Sequence, residues 1–150
     1  MKTKEEIIKI VKNLKGEGKT VVGCSGAFDI LHVGHIKYLR EAKAQGDVLI
    51  VFLNSDSSIK SYKSEDRPLN NENDRAEVLS ALSIVDYVVV FNEDNPVELL
   101  KEIHVDVYCN GEEYGENCVE AETVKSNGGK IHLIKRFGDY STTAIIEKSK

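Results

Sequence analysis

Residues 26–35 read Gly-Ala-Phe-Asp-Ile-Leu-His-Val-Gly-His and decide how the rest of the chain is interpreted. Residues 20–25 before them read Thr-Val-Val-Gly-Cys-Ser, which is typical of a buried strand. After them, apolar residues recur at the spacing of a helix that ends near Gly46. The sequence therefore predicts a strand, a turn of small residues, and a helix whose first turn carries His32 and His35.

The start of that helix is suited to an anion. The first N–H groups of a helix have no partner inside it and lie at its positive dipole end, which favours phosphate. Gly26 is expected to let a ligand approach the backbone, and His32 and His35, three residues apart, share a helix face. We therefore predict a triphosphate site with two imidazoles beside it. Metal ligands and ordinary helix-start histidines are the alternatives, although no cysteine or carboxylate cluster nearby has zinc spacing.

Five short apolar segments alternate with helical patterns along the chain. Parallel strands need helical crossovers, so the alternation predicts a doubly wound parallel sheet of the α/β class. We expect one domain over residues 1–150, in which residues 1–18 form a helix that packs on the core. The predicted strands are residues 20–25, 48–53, 87–91, 106–109 and 130–135. Further helices are predicted over residues 3–16, 71–81, 95–104, 117–126 and after Ser141, with a polar loop over 60–69.

The composition is that of an ordinary soluble domain, with 41% hydrophobic and 30% charged residues. A net charge of −5 and scattered lysines argue against a nucleic-acid partner. We expect no membrane partner, because no apolar run approaches bilayer length and the N-terminus has no signal-peptide core. The odd cysteine count without C-x-x-C spacing is typical of reduced thiols in the cytoplasm.

The pattern Gly-x-Phe-Asp-Ile-Leu-His-x-Gly-His resembles the phosphate-binding motif of the cytidylyltransferase-like nucleotidyltransferases, relatives of the class I aminoacyl-tRNA synthetases. The resemblance covers nearly the whole chain and continues through residues 54–56, 67–70, 74–76 and 141–146. It implies a Rossmann-like sheet with strand order 3-2-1-4-5. It also implies transfer of a nucleotidyl group from an NTP to a small phosphorylated acceptor, with Mg²⁺ as cofactor and a homodimer as the assembly. A tRNA synthetase is excluded, because the chain has no Lys-Met-Ser-Lys-Ser loop.

Within the family the chain is most similar to adenylyltransferases that form ADP-heptose, which implies ATP and heptose 1-phosphate as substrates. Residues 110–114, Asn-Gly-Glu-Glu-Tyr, depart from the Lys-Gly-Gly-Asp-Tyr of that group. The acidic loop suits hydroxyls or a cation better than a second phosphate. Arg136, five residues before Ser141, is similar to its counterpart in glycerol-3-phosphate cytidylyltransferases. CTP with glycerol 3-phosphate or a similar polyol phosphate, or a nucleotide-binding module without turnover, therefore remain alternatives.

The resemblance and the residue chemistry together assign roles. Charge neutralisation in the reaction is assigned to His32, His35 and Lys63. The predicted nucleotide contacts are Ala27, Phe28, His32, Gly34, His35, Asn110, Gly111, Arg136, Ser141, Thr142 and Thr143. The predicted acceptor contacts are Asp29, Asn54, Asp56, Arg75 and Glu113. No metal ligand set is visible in the sequence.

Some of these assignments have a simpler alternative. Ser141 could act only as a helix cap, and Arg136 and Lys63 could be solvated cations. Arg75 lies in the first turn of a helix, where a cation opposes the dipole, so it is aimed at an anion or forms a surface ion pair with Glu72 or Glu77.

The remaining histidines, His104 and His132, have no potential metal ligand or catalytic partner at a characteristic sequence spacing, and we expect both to be structural. For His32 and His35 we expect the helix dipole to lower the pKa and a bound triphosphate to raise it again, so that they are charged only in the complex.

Overall fold

The computed structural model of the chain describes residues 1–136 and 141–150. Residues 137–140, where the sequence Phe-Gly-Asp-Tyr predicts a glycine-containing turn before Ser141, lie outside these residues. The strands are β1 Val21–Gly26, β2 Val48–Asn54, β3 Tyr87–Phe91, β4 Val107–Gly111 and β5 Lys130–Ile134. The helices are α1 Lys4–Gly16, α2 Val33–Lys43, α3 Asp56–Tyr62, α4 Glu72–Ser80, α5 Val97–Glu102, α6 Ala121–Ser126 and α7 Thr142–Ser149, and Glu112–Tyr114 form a 3₁₀ turn after β4.

The sheet has five strands in the order β3-β2-β1-β4-β5, which confirms the predicted topology. All four strand pairs are parallel, as helical crossovers require. Strand β1 lies in the centre and pairs with β2 on one side and β4 on the other. The strand order reverses between β1 and β4, and ligands of such sheets bind beyond the carboxyl ends of the strands at that point.

Strand β2 shows why the sheet is covered on both faces. Leu49, Val51 and Leu53 pack into one core cluster, which includes Leu39 of α2. The alternate residues Ile50 and Phe52 pack into a second cluster on the opposite face, formed with α1, α5 and α6. A strand buried on both faces has no polar alternation, which is why its sequence is an unbroken apolar run.

Helix α1 begins at the predicted capping box. The Thr3 hydroxyl accepts a hydrogen bond from the N–H of Glu6, and the Glu6 carboxylate accepts one from the N–H of Thr3. Ile7 and Val11 are buried against the sheet. The N–H of Lys2 also donates to the carbonyl of Val88 at 2.8 Å, so the segment is tied to the edge strand β3.

The polar loop predicted from residue 60 is wrong in its first part, because helix α3 covers Asp56–Tyr62. Ser55 caps this helix by accepting from the N–H of Ser58 at 3.1 Å. Ile59 is buried, and it is the only large apolar side chain of the helix on the core side. The other buried residue of this seven-residue helix is the polar Ser58, so the helix has no apolar periodicity that its sequence could show.

Two helix starts also differ from prediction. Helix α6 begins at Ala121 rather than at residue 117. Helix α5 begins at Val97, with Pro96 in the cap position and the Asn95 side chain accepting from the N–H of Val97 at 3.1 Å. Both helices are short and are held by tertiary packing, so their boundaries are set by contacts rather than by local signals.

Candidate active site

The turn after β1 places Phe28 in a backbone conformation that is rare for a residue with a side chain. Its φ angle is 46°, in the left-handed region. The ring folds back over Gly26, where an added Cβ would lie 2.8 Å from Cε2 of Phe28. The role predicted for Gly26 therefore needs correction: the space above this glycine holds the chain's own Phe28 ring rather than a ligand.

The buried side chain of Arg75 stabilises this turn by hydrogen bonds. The side chain is 2% exposed, and its Nη1 donates to the carbonyl oxygens of Ala27 at 2.7 Å and Asn54 at 2.8 Å. Its Nε donates to the carbonyl of Asn70 at 2.9 Å, and its Nη2 donates to Oδ1 of Asp56 at 2.8 Å. One guanidinium thus joins four segments: the β1–α2 turn, the end of β2, the start of α3 and the loop before α4.

The prediction for Arg75 is corrected by this geometry. The side chain forms no surface ion pair with Glu72 or Glu77; its carboxylate partner is Asp56. The buried guanidinium directs its donors at the protein, so Arg75 and Asp56 act here as positioning residues rather than as acceptor contacts. Sequence could not show this, because the four acceptors come from segments distant along the chain.

Asp29 connects the β1–α2 turn to the loop before α4 by a second set of hydrogen bonds. Its Oδ2 accepts from the N–H of Leu69 and its Oδ1 from the N–H of Asn70, both at 2.8 Å. The Asn70 side chain donates to the Asp29 carbonyl at 2.7 Å, and Nε of Arg67 lies 3.5 Å from Oδ2. The Asp29 carboxylate is therefore occupied by protein donors, and its predicted role as an acceptor contact becomes a positioning role.

The histidines lie at the start of α2, although not both inside it. His32 is the N-cap residue with extended backbone, and His35 is the third residue of the helix. Their rings stack with centroids 3.8 Å apart, and the Phe28 ring packs 5.1 Å from that of His35. Nδ1 of His35 is buried and has no hydrogen-bond partner among the described residues. A buried ring nitrogen without a partner is suited to bind a ligand atom.

Both histidines favour the neutral form in the free protein. Burial, followed by the charges of His32 and Lys63, lowers the pKa of His35 to about 4. Burial also lowers the pKa of His32. The lowering was predicted, but its main cause is burial rather than the helix dipole. A polyanion beside the rings would favour the charged form instead.

A cavity of about 400 Å³, here called the cationic cavity, lies beyond the carboxyl ends of the central strands. Its basic lining residues are His32, His35, Lys63, Lys135 and Arg136. It is also lined by Ala27, Phe28, Asp29, Gly34, Tyr38, Gly111, Glu113, Tyr114, Ile134, Ser141 and Thr143. Most of the predicted nucleotide contacts thus come together in one cavity, although they come from the turn after β1, the start of α2, the end of β4, the segment after β5 and the start of α7.

Two residues of this cavity, Lys63 and Ser141, are positioned by the helices α3 and α7. Lys63 follows α3 directly as its C-cap residue, so the unpredicted helix carries it to the cavity. Burial, and then the positive charge of Arg67, lower the pKa of Lys63, which makes an anion a favourable neighbour. Ser141 caps α7 by accepting from the N–H of Ala144 at 2.9 Å, and it also lines the cavity, so its contact with a nucleotide stays a prediction. Thr142 is the first residue of α7, and its side chain lies outside the description.

A second cavity, of about 610 Å³, adjoins the first. We call it the acidic cavity, because Asp94, Glu113 and Glu120 line it and its described lining includes no lysine or arginine. The two cavities share Ala27, Phe28, His35, Tyr38, Gly111, Glu113 and Tyr114. The predicted acceptor contacts Asn54 and Glu113 line the acidic cavity.

Asn110, a predicted nucleotide contact, lines the acidic cavity and not the cationic one. Its Oδ1 accepts from the N–H of Gly111 at 3.0 Å, and its Nδ2 donates to Glu120 at 3.4 Å. Gly111 itself lines both cavities, so the boundary between the two cavities passes through the end of β4.

Several polar lining residues were not singled out from the sequence, among them Lys135, Tyr38, Asp94 and Glu120. Lys135 precedes Arg136, and Tyr38 follows His35 by one helical turn, so proximity to a motif could have indicated both. The Tyr38 hydroxyl donates to the carbonyl of Cys109 at 3.3 Å. Asp94 and Glu120 lie in no motif that carries chemistry by itself, and only the fold brings them to the site.

The other histidines and the cysteines have structural surroundings. His132 Nε2 lies 3.0 Å from the Glu41 carboxylate, and His104 Nε2 lies 3.0 Å from the carbonyl of Lys101. All three cysteines are free thiols. Within residues 1–136 and 141–150, no group of three His, Cys, Asp or Glu side chains could hold a metal ion, and none of the helices could cross a bilayer.

A parallel sheet that gathers cations and paired imidazoles at its reversal point is the architecture of a nucleotidyltransferase. The family model described as Cytidylyltransferase-like matches residues 24–148, and the chain belongs to this family.

The chain is similar to two proteins named bifunctional protein HldE. It is 44% identical to that of Syntrophotalea carbinolica over 99% of its own length and 30% of the relative's. It is 47% identical to that of a Nitratiruptor species over 97% of its length and 31% of the relative's. The chain thus spans about a third of the length of the curated relatives it matches.

Two solved structures are similar to this fold. A lipopolysaccharide core biosynthesis protein from Thermoplasma volcanium has a TM-score of 0.63 and 31% identity, and the match covers 83% of this chain and 100% of that one. A pantoate-beta-alanine ligase from Francisella tularensis has a TM-score of 0.65 over 97% of this chain and 74% of that one. At 16% identity the second likeness shows the fold alone.

Proposed function

We propose that the protein transfers the nucleoside monophosphate part of an NTP, preferably ATP, to a phosphorylated sugar such as heptose 1-phosphate. The observation that carries the proposal is the meeting of two unlike cavities at His35. The cationic cavity suits a polyphosphate, and the acidic cavity suits the uncharged part of an acceptor. The acceptor's phosphate and the α-phosphate of the nucleotide would then come together where the cavities join.

The reaction is a single displacement. An oxygen of the acceptor phosphate attacks the α-phosphorus and forms a new O–P bond, while the bond from the α-phosphorus to the bridging oxygen of the β-phosphate breaks. The electron pair of that bond leaves with pyrophosphate. Because the acceptor is already a charged nucleophile, no covalent enzyme intermediate and no general base are needed. The protein has to align two anions and stabilise the charge that grows on the leaving group.

His32 and His35 are proposed to stabilise that charge, with Lys63 on the outer phosphates. The free Nδ1 of His35 and the lowered pKa values of both histidines support this assignment. Neutral imidazoles admit the nucleotide, and its negative charge then favours their protonation. Arg136, Ser141 and Thr143 are proposed to bind the nucleotide from the opposite wall of the cationic cavity.

Mg²⁺ is proposed to enter with the nucleotide. The described residues offer no cluster of three ligands, but Mg²⁺ bound to a nucleotide needs only one or two carboxylates beside phosphate oxygens and water. Glu113, which lines both cavities, fits that requirement. When bound, the ion would neutralise part of the phosphate charge.

The similarity to HldE proteins at 44–47% identity supports ATP and a heptose phosphate as the substrates. CTP with glycerol 3-phosphate is the second candidate, favoured by the sequence position of Arg136 five residues before Ser141. The resemblance implies a homodimer, which sedimentation velocity tests directly. We place the reaction in the cytoplasm, where nucleoside triphosphates are made and where three free thiols stay reduced.

The decisive experiment measures pyrophosphate release with ATP and CTP, each combined with heptose 1-phosphate and glycerol 3-phosphate. We expect turnover to be fastest with ATP and heptose 1-phosphate. Turnover only with CTP and glycerol 3-phosphate would support the second candidate. Nucleotide binding without turnover on any pair would indicate a binding module.

A matched pair of variants tests the site itself. His35→Asn should lower turnover by roughly 10²–10⁴-fold, because it removes a donor that can become charged in the transition state. His104→Asn is the control, since His104 is exposed and contacts only a carbonyl of its own turn. Full turnover by folded His35→Asn would contradict the proposed role.

A further inference from the structure

Glu120 is a buried carboxylate that the family motif does not include. It is 6% exposed and lines the acidic cavity. Among the described residues, the one hydrogen bond to its carboxylate comes from Nδ2 of Asn110, at a long 3.4 Å. An ionised carboxylate has about four acceptor positions, and burying it without donors is costly. Glu120 therefore keeps acceptor capacity for a ligand in the cavity.

The groups around Glu120 orient it. Oδ1 of Asn110 accepts from the N–H of Gly111 at 3.0 Å, which leaves Nδ2 to face the carboxylate. Nearby, the hydroxyls of Ser25 and Tyr108 share a hydrogen bond of 2.6 Å. Burial, and then the charge of Glu120, raise the pKa of Tyr108 well above its usual value, so this hydroxyl stays neutral. Ser25, Asn110 and Glu120 thus form one polar wall of the cavity.

The chemistry of this wall selects among ligand groups. A phosphate only accepts hydrogen bonds at neutral pH and would be repelled by Asp94, Glu113 and Glu120. An ammonium group only donates, so the remaining N–H of the Asn110 amide would have no acceptor, although the Ser25 hydroxyl could accept from it. A hydroxyl donates to the carboxylate and accepts from the amide or the serine. Hydroxyls therefore match the wall as a whole.

We propose that Glu120 is the residue that selects the acceptor, by accepting hydrogen bonds from hydroxyls on its uncharged part. The substrate class is then a polyhydroxylated compound with one phosphate, which lies toward His35, and no second phosphate. This inference rests on the proposed function and adds the residue that determines which acceptor is used. Glu120 binds the substrate at a distance from the reacting atoms, so it governs acceptor choice and not nucleotide binding.

The test compares Glu120→Gln with Glu122→Gln. Both replace a carboxylate by an amide of the same shape, but Glu122 is exposed and does not line the acidic cavity. For heptose 1-phosphate with ATP, Glu120→Gln should lower kcat/KM by about 10- to 100-fold, the worth of a charge-assisted hydrogen bond. The ATP dissociation constant should stay within about twofold, and Glu122→Gln should match the wild type in both.

Acceptor analogues that each lack one hydroxyl distinguish a binding role of Glu120 from a purely structural one. One deoxy analogue should lose about 10-fold or more in kcat/KM with the wild type and almost nothing with Glu120→Gln. Equal losses in both proteins for every deoxy analogue would overturn the proposal. So would a wild-type preference for a bisphosphate, or for an amino-substituted acceptor over its hydroxyl counterpart.

Measuring acceptor binding without turnover tests the role of Glu120 independently of whether the protein catalyses the proposed reaction. Calorimetry with protein saturated by α,β-methylene-ATP measures the affinity for heptose 1-phosphate and glycerol 3-phosphate without turnover. If the wild type binds either acceptor and Glu120→Gln binds it at least about 10-fold more weakly, the assignment of Glu120 stands even when no pyrophosphate is released. Equal affinity in the two proteins, or no binding by a folded wild type, would overturn it.

Discussion

The imidazole rings of His32 and His35 stack with their centroids 3.8 Å apart and their planes inclined by 23°. Two positive charges at such a separation repel strongly in a partly buried site, so the pair favours the neutral form. A polyphosphate beside the rings reverses that preference. Protonation and nucleotide binding are therefore expected to be coupled, and each can be used to measure the other.

Nucleotide binding should take up protons. The pKa of His35 is about 4 in the free protein, so the ring is neutral at about pH 6 and becomes protonated when a bound triphosphate raises that pKa. Affinity should consequently weaken as pH rises from about 6 to 8. Calorimetry of ATP binding in two buffers with different ionisation enthalpies counts the protons. Absence of uptake by the wild type, or the same uptake by His35→Gln, would contradict the coupling.

Without nucleotide, His35 should make folding stability depend on pH. Its pKa is about 4 when folded and 6.5 as the ordinary value, so the unfolded chain binds this proton more tightly. The contribution to stability is present above pH 6.5 and is lost as pH falls from 6.5 toward 4, by at most about 3 kcal/mol. Urea unfolding at several pH values measures the slope. His35→Gln should flatten it, and an unchanged slope would show that other groups cause it.

Arg75→Met should destabilise the fold by about 3–5 kcal/mol, because it leaves the Asp56 carboxylate and three carbonyl oxygens without their donor. Nucleotide affinity should fall as well, since Ala27, in the turn proposed to bind the nucleotide, is one of the acceptors. Arg40→Met is the matched control, as Arg40 is exposed on α2. Urea melts and ATP titrations follow both effects. Equal stability of the two variants would refute the positioning role.

Gly26→Ala should cost about 1–3 kcal/mol and weaken ATP binding, because the new methyl would lie 2.8 Å from the Phe28 ring. The ring can move away only by disturbing a backbone already at a φ of 46°. Gly16→Ala is a suitable control, since an added Cβ there meets nothing within 4 Å. Thermal unfolding compares the pair. A neutral Gly26→Ala would show that the turn is less constrained than its geometry indicates.

The sheet could be predicted almost completely, and the site only in part. Each strand is a short, mainly apolar segment, unbroken in residues 48–53 and 87–91, and this pattern is local, so it is readable without knowing the fold. Helix α3 was missed because Ile59 is its one buried apolar residue, and a single residue has no period. Lys63 was nevertheless placed correctly beside the cationic cavity, by resemblance rather than by its local pattern.

Arg75 and Glu120 show what sequence analysis could not predict about the site. Both are charged residues whose sequence neighbours indicate a surface position, and both are buried. Arg75 was expected to face solvent or an anion, but segments distant along the chain supply its acceptors. Glu120 was not singled out, because its neighbours in the sequence do not indicate that it will be buried beside the end of β4.

The sequence by itself determined the parallel sheet, its helical crossovers and the paired histidines at the first of them, because each depends on residues near one another along the chain. Tertiary structure alone decided which side chains face the ligand and which hold the framework. It divided the crevice into a cationic and an acidic cavity, and it turned Asp29, Asp56 and Arg75 inward. Burial and charge partners are properties of packed neighbours, and no local pattern contains them.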